Sequence, residues 1–188
     1  MADLIEHLES FLGPLSGGSR GDETTPEGVQ IAWFPDRPFD RVTTLVTVGL
    51  SRRHLALPGG NALHQELLMH VPSNGYPDRA AGLLFQVAGE MTSRGAALPH
   101  AHVIGPRGPL FPGSTATALV AITPRYLPEA FEVAHIDDAV PVVMTWLVPI
   151  TTGEAELIRR DGWKALERAI EAEDPDLSDP TRAPVRTR

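Results

Sequence analysis

The sequence predicts an α+β protein in which a mixed, largely antiparallel central sheet is flanked by helices. Predicted strands outnumber predicted helices, and several strands follow one another along the chain without a helix between them. This order differs from the regular alternation of strands and helices that builds a doubly wound parallel sheet. A chain of 188 residues with no internal repeat or visible linker is expected to fold as a single domain over residues 1–188.

The centre of the predicted sheet is the run at 142–148, which is apolar at nearly every position. A strand with so little alternation is covered on both faces. Pro149 is predicted to end it, and Thr151 followed by Glu154 forms a capping box that starts a helix. That helix is predicted to continue to Glu173. Its inner face would carry Ile158, Ala165, Leu166, Ala169 and Ile170.

The N-terminal part of the chain predicts a helix, a loop and two strands in that order. Residues 3–12 place Leu4, Ile5, Leu8, Phe11 and Leu12 on one helical face. Residues 13–28 are rich in Gly, Ser, Thr and acids, which predicts a flexible surface loop. Strands are predicted at 29–34 and 43–50, with Gly49 marking a bend or the close approach of another backbone.

The middle of the chain predicts one more helix among further strands. A strand is expected at 63–71, and Pro77 then suits the first position of a helix that stops at Gly95. The inner face of that helix would carry Ala80, Leu84, Val87, Ala88 and Met91. Further strands are expected around 100–104, 117–123 and 131–135. The Pro-rich, charged tail at 174–188 is expected to lie across the surface or to fray.

Composition excludes several classes of protein. The absence of cysteine rules out disulfides, zinc-thiolate sites and thiol nucleophiles. A formal charge of −8 disfavours general affinity for nucleic acid or anionic membrane and would attract a basic partner. The N-terminus lacks the features of an export signal, and no apolar run approaches the ~20 residues of a membrane span, so a cytoplasmic protein is expected.

Histidines are the only candidates for a metal site. His100 and His102 form an H-x-H pair on a predicted strand, where both rings would project from one face. A third ligand could come from His54, His64, His70 or His135, although none has a spacing that requires it. The pair fits equally well as the polar face of an exposed strand, and this interpretation is preferred, so no metal or cofactor is expected.

Catalytic constellations are not evident in the sequence. No G-x-S-x-G motif is present, so serine catalysis is not supported. Paired carboxylates occur at Glu154/Glu156, Asp137/Asp138 and Glu173/Asp174. A helix start, a turn and a solvated acidic end explain these pairs without catalysis. No residue is therefore assigned a catalytic role.

Aromatic and loop residues give the candidates for a surface contact. Trp146 lies in the predicted core strand and Trp163 should fix its helix, which leaves Trp33 as the tryptophan to consider for a partner, although packing is the favoured role for Trp33 as well. The loop at 105–113 contains Leu110 and Phe111, which are either an exposed anchor or, as we favour, folded back onto the core.

Three stretches carry a resemblance to a known family. They are LVPITTGEAELIRRDGWKALERAIEAEDPDLSDPTR at 147–182, VTTLVTVGLS at 42–51 and QELLMHVP at 65–72. In the suppressor-of-fused-like domain a buried strand ends in a proline-containing turn. A helix with paired acids, an internal Gly and a D-P-D-L-x-D-P-x-R tail follows. The chain resembles this family over most of its length.

The resemblance implies the α/β sandwich of a suppressor-of-fused N-terminal domain and a non-catalytic role in binding another protein. Animal members hold a transcription factor by adding an extended segment of it as a strand, using a carboxylate followed by His. This chain reads Ala97-Leu98-Pro99-His100 at that place and lacks the carboxylate, so that contact is not transferred. Many bacterial relatives are thought to be immunity proteins.

The sequence thus favours a cytoplasmic bacterial immunity protein that neutralises a cognate toxin, such as a basic toxin domain encoded nearby, by stoichiometric binding. The candidates for contact with the partner are Trp33, His100, His102, Arg107, Leu110 and Phe111. One alternative is a small metal-dependent enzyme built on His100 and His102. Another is a scaffold or regulator, including a homodimer formed through an exposed strand edge.

Overall fold

The computed structural model of the protein describes residues 3–136 and 140–186. Within these ranges the strands are β1 (Gly17–Arg20), β2 (Gln30–Pro35), β3 (Val42–Val48), β4 (Leu55–Ala56), β5 (Ala62–Pro72), β6 (His102–Ile104), β7 (Ala116–Ile122), β8 (Val133–Ala134) and β9 (Val142–Thr151). The α-helices are α1 (Leu4–Leu12), α2 (Pro77–Arg94), α3 (Thr152–Asp161) and α4 (Trp163–Glu173).

The strands form a single sheet in the described part of the chain. Its order is β1-β2-β3-β5-β9-β7-β6, with β4 beside β5 and β8 beside β9. Among the pairs of strands in these ranges, β5 and β9 are parallel and the others are antiparallel. An isolated parallel bridge also joins Ala56 of β4 to Ala96. The predicted α+β class with a mixed, largely antiparallel sheet is confirmed.

The predicted central strand is also confirmed, because β9 lies between β5 and β7 and is buried on both faces. Pro149 does not end it, however, since β9 continues to Thr151. Pro149 lies opposite Leu119 of β7, beyond the last partner that β5 offers, which faces Trp146. The missing N–H of Pro149 therefore removes no hydrogen bond to β5.

Helices cover the two faces of the sheet unequally. One face packs with α1, α3 and α4, and its core includes Trp146 and Val148 of β9. The other face packs with α2, and its core includes Leu147. The predicted inner stripe of α2 is confirmed by the burial of Ala80, Leu84, Val87, Ala88 and Met91. Each large side chain buried there stabilises the fold by about 1.5–3 kcal/mol.

The N-terminal segment differs from its prediction in one place. α1 forms as predicted, and the Asp3 carboxylate caps it by accepting a 2.8 Å hydrogen bond from the Glu6 amide. The flexible loop predicted at 13–28 instead contains β1, which pairs with β2. A side chain at Gly18 would place its Cβ 2.6 Å from the Ile31 carbonyl oxygen. Glycine here permits close strand pairing, which is why a Gly-rich segment can form a strand.

Gly49 shows the close backbone approach that was predicted for it. Its φ is +105°, and a Cβ at this position would lie 2.2 Å from the Gly28 carbonyl oxygen. Only glycine fits both the positive φ and the contact. The turn that follows, Leu50–Arg52, is held by the buried Glu66 carboxylate, which accepts hydrogen bonds from the amides of Gly49 and Ser51.

The single helix predicted after Thr151 is two helices. The capping box is confirmed, with the Thr151 hydroxyl accepting from the Glu154 amide and the Glu154 carboxylate accepting from the Thr151 amide. α3 then ends at Gly162, whose φ of +81° and ψ of 168° are not helical, and α4 begins at Trp163. Apolar periodicity continues across the break because both helices pack on the same face of the sheet.

The C-terminal tail lies across α3, one of the two arrangements expected for it. Leu177 and Val185 are buried against the core beneath α3 and α4. Arg182 donates from Nη1 to Oε1 of Glu154 at 2.8 Å, and the Val185 amide donates to the same carboxylate at 3.0 Å. The tail thus supplies the cation that a buried carboxylate requires.

The predicted carboxylate pair Asp137/Asp138 lies outside the described residues. Among the described residues, no helix is long and apolar enough to cross a membrane.

Candidate functional site

β6 is the last strand at one end of the sheet. It pairs with β7, in the register Val103 opposite Val120, and no described strand pairs with its outer edge. The segment before β6 is fixed by the buried Gln65, whose side chain accepts from the Leu98 amide and donates to the Leu98 carbonyl, both at 3.0 Å. A firmly positioned strand with one open edge is suited to pair with another chain.

A cleft runs between β6 and α2 on the same side of the molecule. It consists of two adjoining depressions, of about 360 Å³ and about 200 Å³, that share Val87, Ile104 and Arg107. Val87 and Met91 come from the inner face of α2, while Ile104 comes from β6. The floor of the cleft is therefore apolar and its rim is polar, which is the composition of a small binding site.

Charged groups at the rim are mostly positive. Arg107, which follows β6, donates from Nη1 to Glu90 of α2 at 2.7 Å and so spans the cleft. This hydrogen bond, with the charges of Arg107 and Arg94, holds the pKa of Glu90 below its usual value, although partial burial opposes the shift. Arg94 has no carboxylate within 4.0 Å among the described residues. Arg79 donates to the Leu110 carbonyl at 2.6 Å.

His100 and His102 do not form the same-face pair that the sequence predicted. The strand begins only at His102, and Ala101 between them has a φ of +65°, which turns the chain. The His100 ring contacts Trp163 of α4 with centroids 5.8 Å apart, whereas His102 lines the cleft beside α2. Burial, and to a lesser extent the charge of Arg94, lower the pKa of His102.

The other histidines proposed as a third ligand lie elsewhere. His54 and His64 contact each other with ring centroids 4.4 Å apart. His70 is fully buried beside Trp146, and burial lowers its pKa to about 3. In residues 3–136 and 140–186 no group of three or more His, Asp or Glu side chains is placed to hold a metal ion.

The six residues expected to contact a partner are only partly brought together. His102, Arg107 and Leu110 line the cleft. Trp33 lies on β2, which four strands separate from β6 in the sheet, and packs half-buried against the α2 side of the core. Phe111 is 1% exposed and packs against Tyr76, and Leu110 is 7% exposed. Neither is an exposed anchor, because both fold back onto the core.

The residues that the sequence analysis missed are on α2. Glu90 and Arg94 are one turn apart, and with Arg79 they form the α2 side of the rim. The helical periodicity already placed Val87 and Met91 inward. Since i, i+3 and i+4 positions are neighbours on a helix, Glu90 and Arg94 could have been placed beside that stripe. The sequence did not show which strand Glu90 and Arg94 would face.

The described architecture is an α/β sandwich whose sheet ends in an open strand beside a basic-rimmed cleft. The family model described as Suppressor of fused protein (SUFU) matches residues 25–183. This range covers most of the chain, so the protein belongs to the suppressor-of-fused family, as the sequence resemblance predicted.

Solved structures with the same fold include members of this family. A SUFU homologue from Neisseria gonorrhoeae has a TM-score of 0.74 and 19% identity, covering 95% of this chain and 92% of the homologue. The matched chain of the Sufu–Fu complex has a TM-score of 0.70 and 16% identity, covering 96% of this chain and 89% of the matched chain. Drosophila Suppressor of fused has a TM-score of 0.56 and 18% identity, covering 82% of this chain and 42% of the Drosophila chain. A search among curated proteins found no match.

Proposed function

We propose that the protein acts by stoichiometric binding of another polypeptide, as a cytoplasmic bacterial immunity protein that neutralises a cognate toxin. The observation that carries this proposal is the open outer edge of β6 beside a cleft lined by apolar and basic side chains. In this mode of binding a segment of the toxin adds to the sheet as a further strand next to β6. Its alternate side chains enter the cleft.

Membership of the suppressor-of-fused family supports a protein partner. The Sufu–Fu complex contains a suppressor-of-fused protein together with another protein. A non-catalytic mode of action agrees with the make-up of the cleft, whose polar groups are arginines, a glutamate and a histidine of lowered pKa. These groups suit recognition of a bound chain.

The apolar floor gives the binding its free energy. Ile104 is partly exposed and borders both depressions, with Val87 and Met91 on the opposite wall. A side chain of the partner that fills this space removes apolar surface from water, at about 25 cal/mol for each Å² buried. The backbone hydrogen bonds along β6 then fix the direction and register of the added segment.

The proposal is tested by co-expressing the chain with the product of the neighbouring gene. Cells should survive only when this chain is present, and the two proteins should co-purify in a 1:1 complex. Ile104→Asn removes apolar contact without changing charge and should weaken the complex about tenfold or more. Leu15→Asn is the matched control, because Leu15 is 40% exposed beside β1 at the other end of the sheet.

Two results would contradict the proposal. Survival that does not depend on this chain would remove the immunity role. A complex that tolerates Ile104→Asn but is lost with Leu15→Asn would place the contact at the β1 edge and not at β6.

A further inference from the structure

We propose that the segment bound beside β6 carries an acidic side chain, which is held by the arginines at the rim of the cleft. This inference rests on the proposed strand addition at β6 and specifies the chemistry of the partner there. It differs from the expectation drawn from net charge, which pointed to a basic partner.

The local charge of the cleft is opposite in sign to that of the chain. The chain has a formal charge of −8. The cleft, in contrast, is lined by Arg79, Arg94 and Arg107 against a single carboxylate, Glu90. Charges separated by more than about 8 Å are largely screened at physiological salt, so the groups within the cleft decide which side chain is bound there.

One of the arginines is already close to a carboxylate of the protein. The Arg107–Glu90 pair is substantially exposed, with side-chain exposures of 48% and 29%. Exposed pairs of this kind contribute little to stability, so a carboxylate from the partner can replace Glu90 at Arg107 with little loss.

Arg94 provides a second cation for the incoming group. It lines the larger depression together with Glu90, His102 and Arg107. Burial lowers the pKa of His102, which favours the neutral form of the ring. Guanidinium groups bind carboxylates through paired, charge-assisted hydrogen bonds, and two of them beside an apolar floor select an acidic residue flanked by apolar ones.

The experiment selects random dodecapeptides for binding to the full-length protein. The displayed library contains equal numbers of codons for acidic and for basic residues. Peptides enriched by the wild type should contain several-fold more Asp and Glu than Lys and Arg. The double variant Arg94→Glu/Arg107→Glu should reverse this preference. The control Arg52→Glu/Arg168→Glu changes net charge equally at exposed positions away from the cleft and should keep the preference for acidic peptides.

Circular dichroism checks that both double variants are folded. The inference is overturned by an enriched pool that is neutral or basic, by a preference that survives in the cleft variant, or by no enrichment at all. Failure here is distinguishable from failure of the proposed function. A 1:1 complex that is lost with Ile104→Asn would still establish partner binding at β6, whatever the charge of the peptides.

Discussion

At the scale of single residues, the buried pair Glu154 and Arg182 joins two distant parts of the chain. The side chains are 0% and 8% exposed, and their nearest atoms are 2.8 Å apart. Burial alone raises the pKa of Glu154, but the hydrogen bonds and charge of Arg182 and the amides of Thr151 and Val185 outweigh it. The pKa of Glu154 therefore lies below its usual value.

Replacing Arg182 with methionine should destabilise the protein strongly. Arg182→Met keeps most of the apolar stem but leaves the Glu154 carboxylate buried without its cation, which is expected to lower the free energy of unfolding by about 3–5 kcal/mol. Urea unfolding followed by circular dichroism measures the change.

The matched control for that substitution is Arg160→Met. Arg160 pairs with Asp161 at 2.8 Å, but both side chains are exposed. Pairs of this kind contribute at most about 1 kcal/mol. Similar losses in the two variants would mean that the Glu154–Arg182 pair has no special structural role.

The sequence predicted the capping box at Glu154 but not its pairing with Arg182. The spacing of Thr151 and Glu154 was enough to predict the capping box, because both groups act within one helical turn. The partner Arg182 could not be predicted, since the sequence gives no distance between residues so far apart. The loop at 105–113 shows the same limit, because its composition allowed Leu110 and Phe111 to be either exposed or buried.

At the scale of elements, the break between α3 and α4 depends on one glycine. Gly162 has a φ of +81° and a ψ of 168°, a conformation that L-residues rarely adopt. Its amide still donates to the Ile158 carbonyl at 2.9 Å and so closes α3. α4 then begins at Trp163.

Substitution of Gly162 distinguishes a broken helix from a continuous one. Gly162→Ala should lower the free energy of unfolding by about 1–3 kcal/mol, because the positive φ strains any side chain. Gly153→Ala is the control, since Gly153 lies in the first turn of α3 with a φ outside the positive range and open space around its Cβ position. That change should leave stability unaltered or raise it by about 0.4–1 kcal/mol. A stabilising effect of Gly162→Ala would indicate that the helix is continuous.

Periodicity predicted most elements but not their interruptions. The stripes of α1 and α2 and the apolar run of β9 extend over many residues, so their type was clear. A single residue can break a helix without disturbing the apolar periodicity of the sequence, as Gly162 does between α3 and α4. Ala101 likewise separates His100 from His102, although the H-x-H spacing predicted a shared strand face.

At the scale of the whole molecule, the candidate site could be predicted only in part. His102 was singled out by the H-x-H spacing, and Arg107 lies in the Pro/Gly-rich loop at 105–113. Their neighbours Glu90 and Arg94 belong to α2, and only the packing of α2 against β6 brings the two groups together. The net charge can also be counted from the sequence, but the uneven distribution of charge in the folded molecule cannot.

The interior of the sheet should make the whole molecule sensitive to acid. His70 is fully buried, and its Nδ1 lies 2.7 Å from the Thr44 hydroxyl, whose proton is donated to the Arg37 carbonyl. His70 Nδ1 therefore carries the ring proton and donates it to Thr44. Nε2 has no hydrogen-bond partner in the described chain. A second proton there would place a charge beside Trp146 in the apolar core.

Unfolding should therefore become easier as the pH falls. The pKa of His70 is about 3 in the folded protein against an ordinary value of 6.5, so the unfolded chain takes up a proton first. Stability is lost between about pH 6.5 and pH 3, and about 2 kcal/mol of it by pH 5. The lowered pKa of Glu154 also reduces the free energy of unfolding as the pH falls, but over a lower pH range. The raised pKa of the buried Glu66 has the opposite effect, because it increases the free energy of unfolding as the pH falls.

Comparison of the wild type with His70→Asn isolates the contribution of His70 to the pH dependence of stability. Between pH 7 and pH 5 the wild type should lose about 2 kcal/mol more than the variant in urea unfolding. Because one domain is expected over residues 1–188, circular dichroism and tryptophan fluorescence should report a single coincident transition. Parallel pH profiles of the two proteins would show that His70 does not control the acid response.

The parallel pairing of β5 with β9 also bears on how the chain is made. His64 lies beside Val142, so the two middle strands are separated by α2, β6, β7 and β8 along the polypeptide. During synthesis, β5 leaves the ribosome well before its neighbour and exposes an apolar edge until the last quarter of the chain emerges. Folding should accordingly be slow, and nascent chains arrested before β9 should be prone to aggregation and dependent on chaperones.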